Sequence, residues 1–354
     1  MEIVLLTNIF AVFFAFLESK KILKNGLLIS FFIIFIFLSL RYDYGNDYMG
    51  YYDGFQEINR YVSFDIFDEY IHFEPGWVVL CILFKPIGFF GLIVFLSFIY
   101  CFVMYKLIKE HVPIKLYWFA IVICVFSTGN LLTHLSAMRQ ALAIVIFIFS
   151  LKFIYEKKII LYVASILLAS TFHSSALLLL PIYFIQFVNF KLNKFSLGLL
   201  FILYGALYVF GEKIKPYLNL MITSFNEDYL VYDEEGVLNS GIGLLINSFF
   251  FILILVNDRR YKDERAMFFK LGILSFILAP IGLIVLMFGR INMYFSVFLI
   301  VVYPLVFESI KIKSIKYLFL ILLFFLIFKT FFDFFESPIW KAKYNEYHSV
   351  FEVN

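Results

Sequence analysis

Long apolar runs recur along the whole chain, each ended by a short polar or charged stretch. They lie near 2–18, 25–40, 89–107, 112–129, 137–155, 159–172, 174–189, 195–211, 240–256, 266–288, 291–309 and 315–332. A helix needs roughly 17–25 apolar residues to cross a bilayer, and most of these runs meet or approach that length. The pattern predicts an all-α polytopic membrane protein of about 12 transmembrane helices, arranged as a single transmembrane domain over 1–354. The stretch 74–88 is also apolar, but it is short and carries Pro75, Lys85 and Pro86. A re-entrant or interfacial helix is expected there. Two longer polar stretches, about 41–73 and 212–239, are expected as loops. The first run begins without a basic leader and ends in Glu18-Ser19-Lys20-Lys21, as expected of a span rather than a cleaved signal peptide.

Composition excludes a soluble fold. Hydrophobic residues make up 63% of the chain and 50 residues are Phe, against the 45–50% apolar content typical of soluble domains. Charge placement then orients the bundle. With the N-terminus outside, the inner loops gather 19 of the 29 basic residues, in clusters such as Lys20, Lys21, Lys24 and Lys152, Lys157, Lys158, but only 7 of the 26 acidic ones. This satisfies the positive-inside rule. Counting 74–88 as a full crossing would reverse every later loop. Both termini and the two long loops are therefore expected outside. Cys81, Cys101 and Cys124 sit in apolar runs with no C-x-x-C pair, as small buried hydrophobes do.

The outer-face residues that remain carry the candidate chemistry. Arg41, Arg139 and Arg290 each stand at the mouth of a span, as do His134 and His173. A charge at a membrane boundary is costly without a partner or a task. Arg139, His173 and Arg290 fall at outward-pointing helix N-termini, where free N–H groups and the positive end of the helix dipole favour an anion. Arginine forks suit phosphate or pyrophosphate; the plainer alternative is snorkelling to lipid headgroups. Ser136, Arg139 and Gln140 share a helix face, although Ser136 has the makings of a simple cap. Asp43 and Asp47 are suited to arginines or sugar hydroxyls, and Tyr48 and Tyr51 to sugar stacking, unless the loop is merely solvated. Glu74-Pro75 reads equally as a helix start. His173 is a capping residue or a general base, with His134 or Asp47 behind it as base. The run Asp233-Glu234-Glu235 reads as a solvated face. No nucleotide-binding, metalloprotease or nucleophile-elbow motif is present, so no metal, no other cofactor and no nucleic-acid partner is implied.

At these residues the chain resembles the EpsG family of bacterial polysaccharide polymerases, the Wzy-type enzymes. The likeness lies in an ordered string: Arg41-x-x-x-Gly45-x-Asp47-Tyr48-x-x-Tyr51, Glu74-Pro75, Ser136-x-x-Arg139-Gln140-x-x-Ala143, Phe172-His173-x-Ser175-Ala176 and Arg290-x-x-x-Tyr294. It covers roughly 35–300; the C-terminal tail fits loosely, and 212–239 has no counterpart and is expected to set sugar specificity. The resemblance implies a membrane glycosyltransferase, in an architecture compatible with the GT-C class, at the outer face of the bacterial inner membrane. Its substrates would be oligosaccharide repeat units on undecaprenyl pyrophosphate, with membrane lipid around it and a chain-length regulator and flippase as pathway partners. Arg139 and Arg290, with Arg41, would hold the departing pyrophosphate, Gln140, Glu74 and Tyr294 would line the site, and His173 would be the base. Two rivals remain: a ligase or other lipid-carrier-dependent glycosyltransferase, and a lipid-linked-glycan flippase. A flippase needs charges deep in a cavity reachable from both sides; here, apart from Lys329, the span interiors are almost uncharged.

Overall fold

The structure is a computed structural model that describes residues 1–61, 73–188, 241–257, 264–344 and 346–352, with a few positions between 198 and 220. It divides into two compact units, Met1–Tyr183 with Leu323–Asn354, and Phe184–Leu322.

The first unit opens with an antiparallel hairpin, α1 (Glu2–Ser19) and α2 (Gly26–Ser39). Lys21 and Asn25 take positive φ to turn the chain. Gly26 is required there because a Cβ would lie 2.1 Å from the Phe14 carbonyl oxygen. The Glu18 carboxylate accepts the Leu27 N–H at 2.6 Å, and Ser30 donates to the Ala11 carbonyl at 2.6 Å. A two-residue strand, β1 (Arg41–Tyr42), leads to α3 (Tyr48–Tyr61). Then come α4 (Pro75–Phe84), α5 (Phe89–His111), a 3-10 turn and α6 (Tyr117–Phe126). α6 is apolar on every side, and nearly all of it is buried, as such a helix must be. Asn8 of α1 donates to the Val125 carbonyl, and Phe126 packs against Phe328 and Phe331. α7 (Leu132–Ser136), α8 (Met138–Tyr155), α9 (Ile159–Ser170) and a 3-10 helix (Ser174–Phe187) follow.

The second unit holds α10 (Gly241–Asn257), α11 (Glu264–Ile284), α12 (Leu286–Ser296) and α13 (Leu299–Ser309). Phe250, Tyr303 and Phe319 form an aromatic cluster with centroids 5.4–6.0 Å apart. Lys270 donates to the carbonyls of Ile185 and Gln186 at 3.1 Å each, closing the end of the 3-10 helix. α14 (Lys313–Glu336) begins in this unit and ends in the first, followed there by α15 (Pro338–Tyr344) and a strand, β2 (His348–Ser349).

The fold is that of an all-α, multi-pass membrane protein. Five described helices are long and apolar enough to cross a bilayer: α1, α5, α8, α11 as far as Gly282, and α14. The pair 288–296 and 299–309, bent by 55°, would make a sixth. Several expected spans are shorter than their apolar runs. α2 has 14 residues, about 21 Å against a hydrocarbon core of ~30 Å. The stretch 74–88 does contain a short helix, α4. The run 195–211 and the acidic run 233–235 lie mostly or wholly outside the described residues, as does most of the loop 212–239; of the expected loop 41–73, residues 62–72 lie outside them, and Tyr48–Tyr61 form the helix α3 instead of loop.

Candidate functional site

At one end of the first unit four chain segments meet. β1 pairs antiparallel with β2, Arg41 opposite Ser349 and Tyr42 opposite His348. The Met1 amine donates to the Tyr344 carbonyl at 3.4 Å. Lys343 holds Asp43 at 2.9 Å, so Asp43 pairs with the C-terminal tail, not with an arginine or a sugar as expected. Tyr344 is fully buried; its hydroxyl donates to the Leu132 carbonyl at 2.7 Å and lies 2.8 Å from Ser136 Oγ. Ser136 Oγ also accepts the Asn46 N–H at 2.8 Å. Ser136 is therefore no helix cap: α8 starts after Ala137, and Ser136 ties the first loop and the tail to its entrance. Gly45, at φ +124, is needed because a Cβ would approach the Leu135 carbonyl oxygen to 2.9 Å. Burial pushes the Tyr347 phenol up to about 12, the nearby Arg41 charge opposing.

The start of α8 carries Arg139 toward Glu74, the residue preceding α4. One Glu74 oxygen forms an ion pair with Arg139. The other lies 3.4 Å from His173 Nδ1 and accepts the Ser174 N–H at 3.2 Å. One carboxylate thus spans a guanidinium, an imidazole and the first N–H of a helix. It occupies the kind of place where an external anion was expected. Burial pushes the Glu74 carboxyl up, but the His173 contact and the Arg139 charge outweigh it, and the net shift is downward. His173 is 8% exposed; neither ring nitrogen meets hydrogen-bond geometry among the described residues, and Nδ1 faces Glu74 as a 3.4 Å charge contact. The close approach has a backbone cause. The Gly76 N–H donates to the Thr171 carbonyl at 2.8 Å, and a Cβ on Gly76 would sit 2.3 Å from Thr171 Oγ1.

Tyr51 and Phe73 lie under the Arg139 guanidinium at 5.7 and 5.0 Å. Tyr51 also packs on Trp77, with centroids 5.2 Å apart. Tyr48 is fully buried and donates to the Arg41 carbonyl at 3.0 Å. Both rings are therefore spent on packing and on arginines, where open sugar-stacking faces were expected. Arg41 is itself buried, its Nη1 donating to the Leu38 carbonyl at 2.6 Å. Asp47 is exposed at the start of α3, and Gln140 is buried in α8. His134 falls on α7, but its side chain lies outside what is described.

Arg290, in the second unit, departs from its expected position. The helix break falls at Val285, so Arg290 lies in the second turn of α12 rather than before a span, and its N–H is not a free terminal donor. The break sits there because the backbone of Gly282 meets that of Gly289; a Cβ on Gly282 would lie 2.9 Å from the Gly289 nitrogen. Tyr294 is fully buried one turn further on.

No local pattern marks Tyr344 or Lys343 as site residues, because their contacts are distant in the chain. Among the described residues no three His, Cys, Asp or Glu side chains gather as metal ligands.

A bundle of apolar helices, five of the described ones long and apolar enough to span a bilayer, defines a multi-pass membrane protein. The EpsG family model matches residues 24–349, and the chain belongs to that family. This is a Wzy-type polysaccharide polymerase family, and membership gives the chain a polysaccharide polymerase role. The match runs into the C-terminal tail through β2, which the motif string alone fitted loosely. No curated protein and no solved structure matches the chain.

Proposed function

We propose that the chain polymerises oligosaccharide repeat units carried on undecaprenyl pyrophosphate, at the periplasmic face of the bacterial inner membrane. The observation that carries this reading is the Glu74 carboxylate shared by Arg139, His173 and the Ser174 N–H. Glu74 orients the imidazole through Nδ1 and leaves Nε2 to accept a proton, the role a carboxylate plays toward histidine in hydrolytic triads. The non-reducing-end hydroxyl of the incoming unit attacks the anomeric carbon of the growing chain. Its proton passes to His173 Nε2, the bond from that carbon to the pyrophosphate oxygen breaks, and undecaprenyl pyrophosphate leaves. Negative charge grows on the leaving group, so preorganised cations there lower the barrier most. Arg139 is the nearest such cation to His173 through Glu74. Asp47, exposed at the start of α3, and Gln140, buried in α8, complete the proposed glycan contacts. The reaction needs no metal in this scheme. Twelve crossings and a GT-C-like arrangement are the architecture proposed with it, and a flippase and a chain-length regulator are the pathway partners it calls for.

The test is deletion of the gene with plasmid rescue, reading surface polysaccharide length by gel. Deletion is expected to leave single repeat units, and rescue to fail with Arg139→Ala or His173→Ala at equal membrane levels. Single units trapped on the cytoplasmic face would instead identify a flippase. Long polymer stranded on its lipid carrier would identify a ligase.

A further inference from the structure

Gly54 stands in the middle of α3, where glycine is the poorest helix former after proline. Packing explains it. A Cβ there would lie 2.7 Å from Phe73 Cζ, and the three atoms nearest to it all belong to the Phe73 ring. The bare backbone of α3 is therefore the seat of one aromatic ring. That ring lies under the Arg139 guanidinium, which is 5.0 Å from its centre. Beside it is Tyr51, with centroids 6.2 Å apart and the rings tilted by 32°. Tyr51 is held in turn by Trp77, fully buried in α4. Glu74, the residue after Phe73, forms the ion pair with the same guanidinium. Two consecutive residues thus hold Arg139, one by charge and one by a ring face. The Arg139 side chain is 24% exposed, so these contacts orient it without closing it off. Arginine carries much rotamer freedom, and a fork that grips two phosphate oxygens works only in a fixed orientation.

We propose that Phe73, seated by Gly54, is a positioning residue for polymerisation: its ring holds the Arg139 fork in the orientation that meets the departing pyrophosphate. The inference rests on the reading of Arg139 as the cation at the leaving group. Phe73 acts through Arg139, and it belongs to none of the motifs in the ordered string. A cation over a ring face is attracted by the ring's electrons and not only by contact area. That attraction separates Phe73 from an ordinary packing residue, and it can be changed without changing the ring's shape.

In the gene-deletion strain, Phe73 of the full chain would be replaced through a suppressed stop codon by mono-, di- and trifluorinated phenylalanine. Polymer would be read by gel at matched membrane levels. Fluorine barely alters the ring's shape but withdraws the electrons that attract a cation. Polymer yield is expected to fall stepwise with each fluorine. With Phe73→Leu it should fall about threefold to thirtyfold, the size of one lost cation–π contact. Phe73→Tyr keeps an aromatic face and is expected to keep the yield. Gly54→Ala meets atoms at the far end of the ring, so it shifts the ring rather than the backbone. Its yield should fall by a similar factor with thermal stability near wild type. Gly54→Ala combined with Phe73→Leu should be no worse than Phe73→Leu alone, because Gly54 acts through the ring. Unchanged yield across the fluorinated series, or wild-type yield from Gly54→Ala, overturns the inference and leaves the polymerase reading standing. Full polymer from Arg139→Ala overturns the reading on which the inference rests, whatever the fluorinated series does.

Discussion

Replacing Glu74 by glutamine tests the centre of the site with almost no change of shape. The carboxylate now serves three partners: Arg139, His173 and the Ser174 N–H. An amide keeps one acceptor oxygen and turns an N–H toward a cation. The Glu74 and Arg139 side chains are 20% and 24% exposed, so the loss falls between an exposed pair, about 0–1 kcal/mol, and a fully buried one broken on one side, about 3–5 kcal/mol. We expect about 1–3 kcal/mol, between those limits. In a unit of this size each kcal/mol lowers Tm by about 2–4 °C, so detergent-solubilised Glu74→Gln should melt roughly 2–12 °C below wild type. If the same interaction orients His173, polymer formation at matched protein level should fall about tenfold to a hundredfold, at 1.36 kcal/mol per decade. The pH dependence gives a second reading. The folded Glu74 pKa lies below its ordinary value of 4.5. Its stabilisation is therefore complete above that pH and is lost as pH falls below it toward the folded pKa. Thermal melts of wild type between pH 7 and pH 4 should show this acid loss, and Glu74→Gln should lack that share of it. A Glu74→Gln protein with wild-type Tm, wild-type acid dependence and a normal polymer ladder would refute the reasoning.

Three further outcomes follow from other contacts. Arg139→Lys keeps the charge but loses the planar fork and its stacking on Tyr51 and Phe73; polymer yield should drop about tenfold at unchanged membrane level, measured by the same gel. Gly76→Ala drives a methyl group into Thr171, so Tm should fall by the equivalent of about 1–3 kcal/mol, and pairing it with Thr171→Ser, which keeps the oxygen, should not restore it. Tyr344→Phe removes the hydroxyl shared by Ser136 and Leu132 and should cost about 1–3 kcal/mol, with faster proteolysis of the tail as the readout; a tail no more accessible than in wild type would show that the ring alone holds it.

Membrane character was legible in the chain before any fold was known, as was the placing of lysine clusters between apolar runs. Both are local or compositional: apolar runs must be covered by lipid or by each other, and lysine clusters mark the loops between them. The sequence also picked out Glu74-Pro75, Arg139 and His173 as residues of interest, each from its place at an expected helix end. What it could not show is that these three meet, since Glu74 is 65 residues from Arg139 and 100 from Ser174. That Arg139, His173 and the Ser174 N–H converge on the chain's own Glu74 carboxylate was not legible, because the pairing depends on how α4 docks against the turn at Thr171. Tyr344 lies 208 residues from Ser136, and nothing in its own neighbourhood announces the contact. Helix ends failed for a related reason. Hydropathy gave one boundary at Arg290, whereas packing of Gly282 on Gly289 put the break at Val285. Burial likewise separated Tyr48 and Tyr51, read as open rings, from solvent. Periodicity and composition fix what each segment must bury; only the tertiary contacts decide against which partner it does so.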